Sequence, residues 1–240
     1  MSTDHTNLLL ASLSSESRDL LMSKAVAVPL PLRMSLYEAE QTPPYAYFPT
    51  SGIASVVTVM GNGSTAEVGL IGNEGVVGAV HLLGSLPVST RCFIQLEGTG
   101  LRVPMAELKK AFRSSEEIRA RILEFVQEQA LSVSQLAACQ RLHEAEARLA
   151  RWLLMAQDRT RNHMLDFTQE FLAMMLGAQR TTVTMVAGAM QRSGLIEYSR
   201  GRVKILDRGN LEEAACDCYQ VTKRLYAKLY KEKLSVKREA

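Results

Sequence analysis

The stretch from Phe167 to Met190 constrains this chain more than any other. It reads as two short helices joined by a tight turn at Gly177, the second carrying a polar, positive outer face over an apolar inner one. With helical residues about 100° apart, Val183, Val186, Ala187 and Met190 gather on one side, where they can pack on Phe171, Leu172, Met175 and Leu176. Thr181, Met185, Gly188 and Arg192 gather on the other. Two helices written this way form a helix-turn-helix, which makes nucleic acid the leading partner.

An outward Met185 flanked by threonine and glycine, with Arg180 at the helix start, is unusual on a surface meant only for water. It suits the major groove. Arg180 can donate two hydrogen bonds to guanine, while the Thr181 methyl and the Met185 thioether can meet thymine methyls. Gln179 and Thr182 lie near the helix N-terminus and can hydrogen-bond phosphates where the helix dipole favours negative charge. Thr184 completes the candidate contact set on this helix. Gly194-Leu195-Ile196 then leads into a hairpin over 197–206 that turns at Ser199-Arg200-Gly201, a wing. It supplies Arg200, Arg202 and Lys204, and in a strand Arg202 and Lys204 share one face that can rest on a phosphate backbone. Alone, such a comb is as readily a solvated edge that prevents sheet aggregation. Behind a recognition helix it reads as a second DNA contact.

The N-terminal half is written differently. Residues 8–24 suggest one or two short amphipathic helices. Short β-prone runs follow at 26–32, 53–60, 65–70, 91–96 and 101–103, separated by turn clusters rich in Gly, Pro, Asn and Ser. Gly61-Asn62-Gly63 between two of them is a hairpin signal. Such punctuation implies an antiparallel sandwich or roll. Strand signals stop after Pro104, and Ser114-Ser115-Glu116-Glu117 can cap a long helix running to about residue 138. Leu123, Val126, Ala130, Val133 and Ala137 form one apolar seam along it, with Ile118, Ile122 and Phe125 beginning a second. A wide face packed on its own domain would use both. The sharper expectation is that the first seam meets the same helix of a second chain. A further helix near 143–157 carries the only tryptophan, Trp152, as a core anchor, and 158–166 reads as polar and turn-like. Asp207-Arg208-Gly209-Asn210 caps a last helix from 211 to about 234.

The fold class expected is thus α+β. It comprises an N-terminal antiparallel β-roll with its helices (1–112), a long dimerisation helix (113–139) and a C-terminal winged helix-turn-helix (140–240). Charge is distributed to match, since residues 1–111 hold 7 Lys/Arg and 9 Asp/Glu whereas 112–240 hold 21 and 16. The positive half carries the helix-turn-helix, which suits contact with phosphates, although the imbalance is modest.

In these features the chain resembles the Crp/Fnr family of bacterial transcription regulators over nearly its whole length. Leu176-Gly177-Ala178-Gln179-Arg180-Thr181-Thr182-Val183 looks like that family's turn and recognition-helix start, and Gly194-Leu195-Ile196 like its helix exit. The resemblance implies a β-roll of the cyclic-nucleotide-binding type, a homodimer on a two-fold symmetric DNA operator, and RNA polymerase as a further partner. The chain departs at the base-reading positions. Thr181 stands where many members carry Glu, and Met185 where several carry Arg.

A cyclic nucleotide is not expected. The candidate ligand positions are Gly72, Glu74, Gly75, Thr90 and Arg91. Nucleotide-binding relatives place an Arg where Thr90 falls; Arg91 is one residue late, and a one-residue slip in a strand turns a side chain to the opposite face. The glycines are more readily explained by turns and close packing. No cysteine precedes Cys92, which argues against an iron–sulfur cluster of the family's N-terminal kind, and His81 has no partner motif for haem. No cofactor or metal is therefore anticipated. On a helix Cys216 and Cys218 would point in different directions, so a shared metal or local disulfide is not expected, although redox sensing through them stays open. No metal-ligand cluster, Gly-x-Ser-x-Gly or P-loop is apparent, which disfavours an enzyme. The N-terminus lacks a basic, apolar leader, and no run approaches the roughly 18 apolar residues of a membrane span, so a cytoplasmic location is expected. The alternative reading is a ligand-binding or protein-interaction module whose winged helix contacts protein instead of DNA.

Overall fold

The computed structural model describes residues 6–160, 162–199 and 201–230. Two short helices come first, α1 (Leu8–Ser12) and α2 (Ser15–Met22), capped by the side chains of Asn7 and Ser14. Seven strands follow: β1 (Val26–Leu30), β2 (Ser35–Tyr37), β3 (Tyr45–Pro49), β4 (Ile53–Val59), β5 (Thr65–Ile71), β6 (Thr90–Leu96) and β7 (Gly98–Pro104). They pair antiparallel in two sheets, ordered β1-β7-β3 and β2-β6-β4-β5, which is the expected roll. Gly63, at φ 80°, supports the β4–β5 turn.

Two of these strands are not apparent in the sequence. In β3, Ala46, Tyr47, Phe48 and Pro49 are buried in succession, so the run shows no alternation of the kind that marks a half-buried strand. β2 has only three residues and depends on pairing with β6. The sequence also hides α3 (Met105–Ser114), whose inner face is no more than Met105, Leu108 and Ala111. It packs on β3 and β7.

The long helix α4 (Glu116–Leu142) starts where Ser115 accepts a hydrogen bond from the Ile118 N–H, and it runs past the expected end. Its two seams separate as their spacing implies. Ile118, Ile122 and Phe125 are in the roll's core, whereas Leu123, Ala130, Val133 and Ala137 are exposed in the chain. Val126 lies between, partly buried against the same core.

A second core forms around α5 (Ala145–Thr160), α6 (Gln169–Leu176) and α7 (Arg180–Arg192). Trp152 anchors it, 4.5 Å edge-on from Phe167. The wing is β9 (Ile196–Ser199) and β10 (Arg202–Ile205), but the segment read as turn-like behaves otherwise. Helix α5 continues to Thr160, and β8 (Met164–Asp166) pairs with β10 as a third strand. A three-residue strand shows no period, so only its neighbour specifies it. The last expected helix is likewise broken. Asp207 caps α8 (Arg208–Ala214), Ala215 is extended, and α9 (Cys218–Lys228) begins after a turn. The break lets Leu211 and Tyr219 both bury, and Arg208 pins it by bonds to Asp158 (2.7 Å), Gln157 and Tyr219 (2.7 Å).

The two cores touch. Ile53, Leu70 and Leu96 of the roll join the second core, and the Trp152 indole N–H donates to the Glu67 carboxylate at 2.7 Å. Among the described residues no helix is long and apolar enough to cross a membrane.

Candidate nucleic-acid interface

The turn between α6 and α7 rests on Gly177, whose φ of 57° lies in the left-handed region that favours glycine. Its N–H and that of Ala178 bond back to the last turn of α6, and the Arg148 guanidinium caps the Leu176 carbonyl at 3.1 Å. Gln140 Nε2 on α4 donates to the neighbouring Met175 carbonyl at 3.4 Å. The approach of α7 is thereby fixed from behind by α4 and α5.

On α7 the apolar flank is inside: Val183, Ala187 and Met190 are 0, 3 and 0 % exposed. The opposite flank is open, with Met185 68 % exposed and Gln179, Arg180, Thr181 and Thr184 exposed around it. Thr182 is half-buried at the first turn. Gln179 is the N-cap residue, and its side chain makes no capping bond. Arg180 pairs with Glu170 at 3.2 Å, both side chains being largely exposed. Such a pair is worth only about 0–1 kcal/mol, so releasing Arg180 to a base costs little.

The wing adds two further exposed cations. In β10, Val203 and Ile205 are buried while Arg202 and Lys204 point out together. Arg202 Nε bonds Asp166 Oδ1 of β8 at 3.0 Å, which braces the guanidinium across the sheet. Arg200 lies outside the described residues.

The candidate ligand positions do not form one open site. Glu74 is fully buried, both its oxygens accept from the Gly72 N–H at 3.1 Å, and Arg159 of α5 closes on it at 3.0 Å. The Tyr226 ring lies 5.3 Å from the Arg159 guanidinium, and Tyr230 donates to the Glu74 carbonyl at 3.1 Å. A side chain at Gly75 would run into the Phe125 ring, so close packing explains that glycine. On β6 the alternation separates the other two positions. Thr90 Oγ1 lies 3.3 Å from Tyr37 Oη, on the same inner side as fully buried Cys92. Arg91 instead joins Phe93 and Gln95 on the outer side, at a cleft of about 480 Å³ that Phe171 and Met174 of α6 also line. His81 packs edge-on to Tyr37 at 5.0 Å, and burial pulls its pKa down.

The structure assembles one chemical group that sequence reading leaves scattered. Cys139, His143, Cys216 and Cys218 bring four possible donor atoms within 4.8 Å of one another. The expectation that Cys216 and Cys218 diverge assumed a continuous helix, and the turn at 215–217 removes that premise. The usable signal was Cys139 and His143 four residues apart, one turn on a single helix face.

Residues 147–214 match the Crp-like helix-turn-helix domain. No curated protein matches the sequence. Solved structures resemble most of the chain at low identity. A chain from Eubacterium rectale, described as a regulator of the Crp/Fnr family, has a TM-score of 0.68 at 17 % identity, covering 86 % of this chain and 96 % of that one. FixK2 from Bradyrhizobium japonicum reaches 0.67 at 15 %, covering 80 % and 98 %. TTHB099 from Thermus thermophilus, a CRP-family transcriptional regulator, reaches 0.65 at 21 %, covering 78 % and 96 %. The chain therefore has the fold of the Crp/Fnr transcription regulators and carries a Crp-like helix-turn-helix DNA-binding domain at its C-terminal end.

Proposed function

We propose that this chain is a sequence-specific transcription regulator that binds a two-fold symmetric operator as a homodimer, without a cyclic nucleotide. The observation that carries the reading is the free outer flank of α7, where Arg180, Thr181 and Met185 stand exposed. Arg180 reads guanine, and Thr181 and Met185 meet thymine methyls. Gln179, Thr182, Thr184 and the wing residues Arg200, Arg202 and Lys204 contact the backbone and set the register. The exposed α4 seam of Leu123, Ala130, Val133 and Ala137, edged by Val126, supports pairing with a second chain, since a row of apolar side chains on a helix gains from being covered.

Independence from cyclic nucleotides is supported by the turn at Gly72–Gly75. Its only carboxylate, Glu74, is fully buried and already bound by Arg159 and the turn's own backbone, so it is not presented to a sugar hydroxyl from outside. Residues 1–112 would form the sensory domain, 113–139 the dimerisation helix and 140–240 the DNA-binding domain. The protein would work in the cytoplasm with RNA polymerase as its further partner, and would catalyse no reaction.

Selection of bound duplexes from a random pool, followed by gel shifts across a salt series, tests this reading. A consensus with two inverted half-sites about one DNA turn apart, bound with a steep salt dependence, is expected. Equal affinity for selected and random duplexes would refute sequence reading. Failure to bind DNA at all would favour a winged helix that contacts protein.

A further inference from the structure

We propose that Cys139, His143, Cys216 and Cys218 form a tetrahedral zinc site that fastens the DNA-binding domain to the end of α4. The four residues come from two places far apart in sequence. Cys139 sits in the last turn of α4 and His143 is that helix's C-cap, while Cys216 and Cys218 flank Asp217 at the turn between α8 and α9. All four donor atoms lie within 4.8 Å of one another, and two of their separations are close to those a zinc ion imposes. Bonds of about 2.3 Å to sulfur and about 2.0 Å to nitrogen give tetrahedron edges of about 3.5–3.8 Å. Cys139 Sγ and Cys216 Sγ are 3.5 Å apart, as are Cys218 Sγ and His143 Nδ1.

The surroundings also fit. His143 Nε2, the nitrogen turned away from the sulfurs, lies 3.3 Å from Asp217 Oδ1. A carboxylate there holds a ligating imidazole in the tautomer whose Nδ1 lone pair faces the metal, and it raises the ligand's basicity. Gln135 Nε2 donates to Cys218 Sγ at 3.0 Å, a bond that favours a thiolate. Three thiolates and a neutral imidazole leave the zinc complex with one net negative charge. The Arg151 guanidinium, 5 % exposed, acts electrostatically on both Cys139 and Cys216 and offsets it. Arg151 Nε has no hydrogen-bond partner among the described residues.

Three cysteines and a histidine suit zinc better than the harder divalent ions, which prefer oxygen. Four protein ligands fill a tetrahedron and leave no open position, so the site is structural and not catalytic. Its place gives the consequence. One turn before His143, Gln140 braces the helix-turn-helix at Met175, and just beyond it α5 begins, so an ion here fixes the corner at which the DNA-binding domain leaves α4. Binding exchanges three S–H bonds for three Zn–S bonds and releases about three protons without any change of oxidation state.

The test uses the full-length chain, purified with thiols reduced. Metal analysis after desalting should find about one zinc per chain, and cobalt replacement should give the visible bands of a tetrahedral thiolate site. Cys218→Ser and His143→Gln should each abolish stoichiometric retention. Asp217→Asn alters an exposed side chain outside the ligand set, so the fold should survive; its zinc affinity, measured by chelator competition, should fall about ten- to a hundredfold. A reduced chain that takes up neither zinc nor cobalt would overturn the proposal. So would zinc retained unchanged in both Cys218→Ser and His143→Gln, or a Cys139–Cys216 disulfide whose reduction yields no metal binding. None of these readouts involves DNA, so the zinc site and the operator reading can fail separately.

Discussion

Replacing Glu67 by Gln should change how the stability of this protein depends on pH. Glu67 is buried where the roll meets the DNA-binding domain, and its carboxyl accepts hydrogen bonds from Ser55 and Trp152 at 2.7 Å each. Burial pushes its pKa up from 4.5 to about 7, outweighing those two bonds, which pull it down with Arg151 and Arg159. A raised carboxyl pKa means the folded state holds its proton more tightly than the unfolded chain. The contribution to stability is therefore full below about pH 4.5 and is lost as pH rises through about 7. At about 1.4 kcal/mol per unit the swing is about 3 kcal/mol. Glutamine keeps the shape, does not titrate, and can still accept from Trp152 while donating to Ser55. The variant should thus gain about 3 kcal/mol on the native chain between pH 4.5 and pH 8. Urea unfolding at several pH values measures this, and the single tryptophan supplies a local probe because its indole N–H binds the titrating group. Native Trp152 emission should change with a midpoint near pH 7, and the change should vanish in Glu67→Gln. Stability curves that run parallel from pH 5 to pH 8 would refute the argument.

Four other substitutions probe base reading, the dimer seam and the buried Arg159–Glu74 pair. Arg180→Ala should cost about 1–3 kcal/mol on the selected operator and much less on random duplex; equal losses on both would remove Arg180 from base reading. Ala130→Glu would set charges face to face in the α4 seam, so sedimentation should report a monomer, and a persistent dimer would move the interface elsewhere. Arg159→Met strands the Glu74 and Glu128 carboxylates in the interior and should cost about 3–5 kcal/mol in denaturant unfolding. Adding Glu74→Gln should recover part of that loss, and a double variant no more stable than Arg159→Met would show that Glu74 is not the group left stranded.

What was written locally was readable. The 3.6-residue period of α7 places Val183 inside and Met185 outside, Gly177 marks the turn because few other residues adopt its φ, and Ser115 caps α4 through its own hydroxyl. Even the slip of Arg91 to the outer side of β6 follows from two-residue alternation, which depends on nothing beyond the strand itself. Each of these features depends on neighbours within about one helical turn or strand pair, and the chain carries it wherever it folds.

The tertiary structure decided what depends on distant partners. Strand β3 is buried on both faces, β8 exists because β10 offers it an edge, and the break at Ala215 contains neither glycine nor proline to announce it. That break turns two cysteines toward Cys139, 77 residues away from Cys216, and toward the cap of α4. Likewise Glu67 meets Trp152, and Arg159 meets Glu74, across 85 positions each. Such encounters are set by which surfaces bury best together, a competition over the whole chain that no local period records.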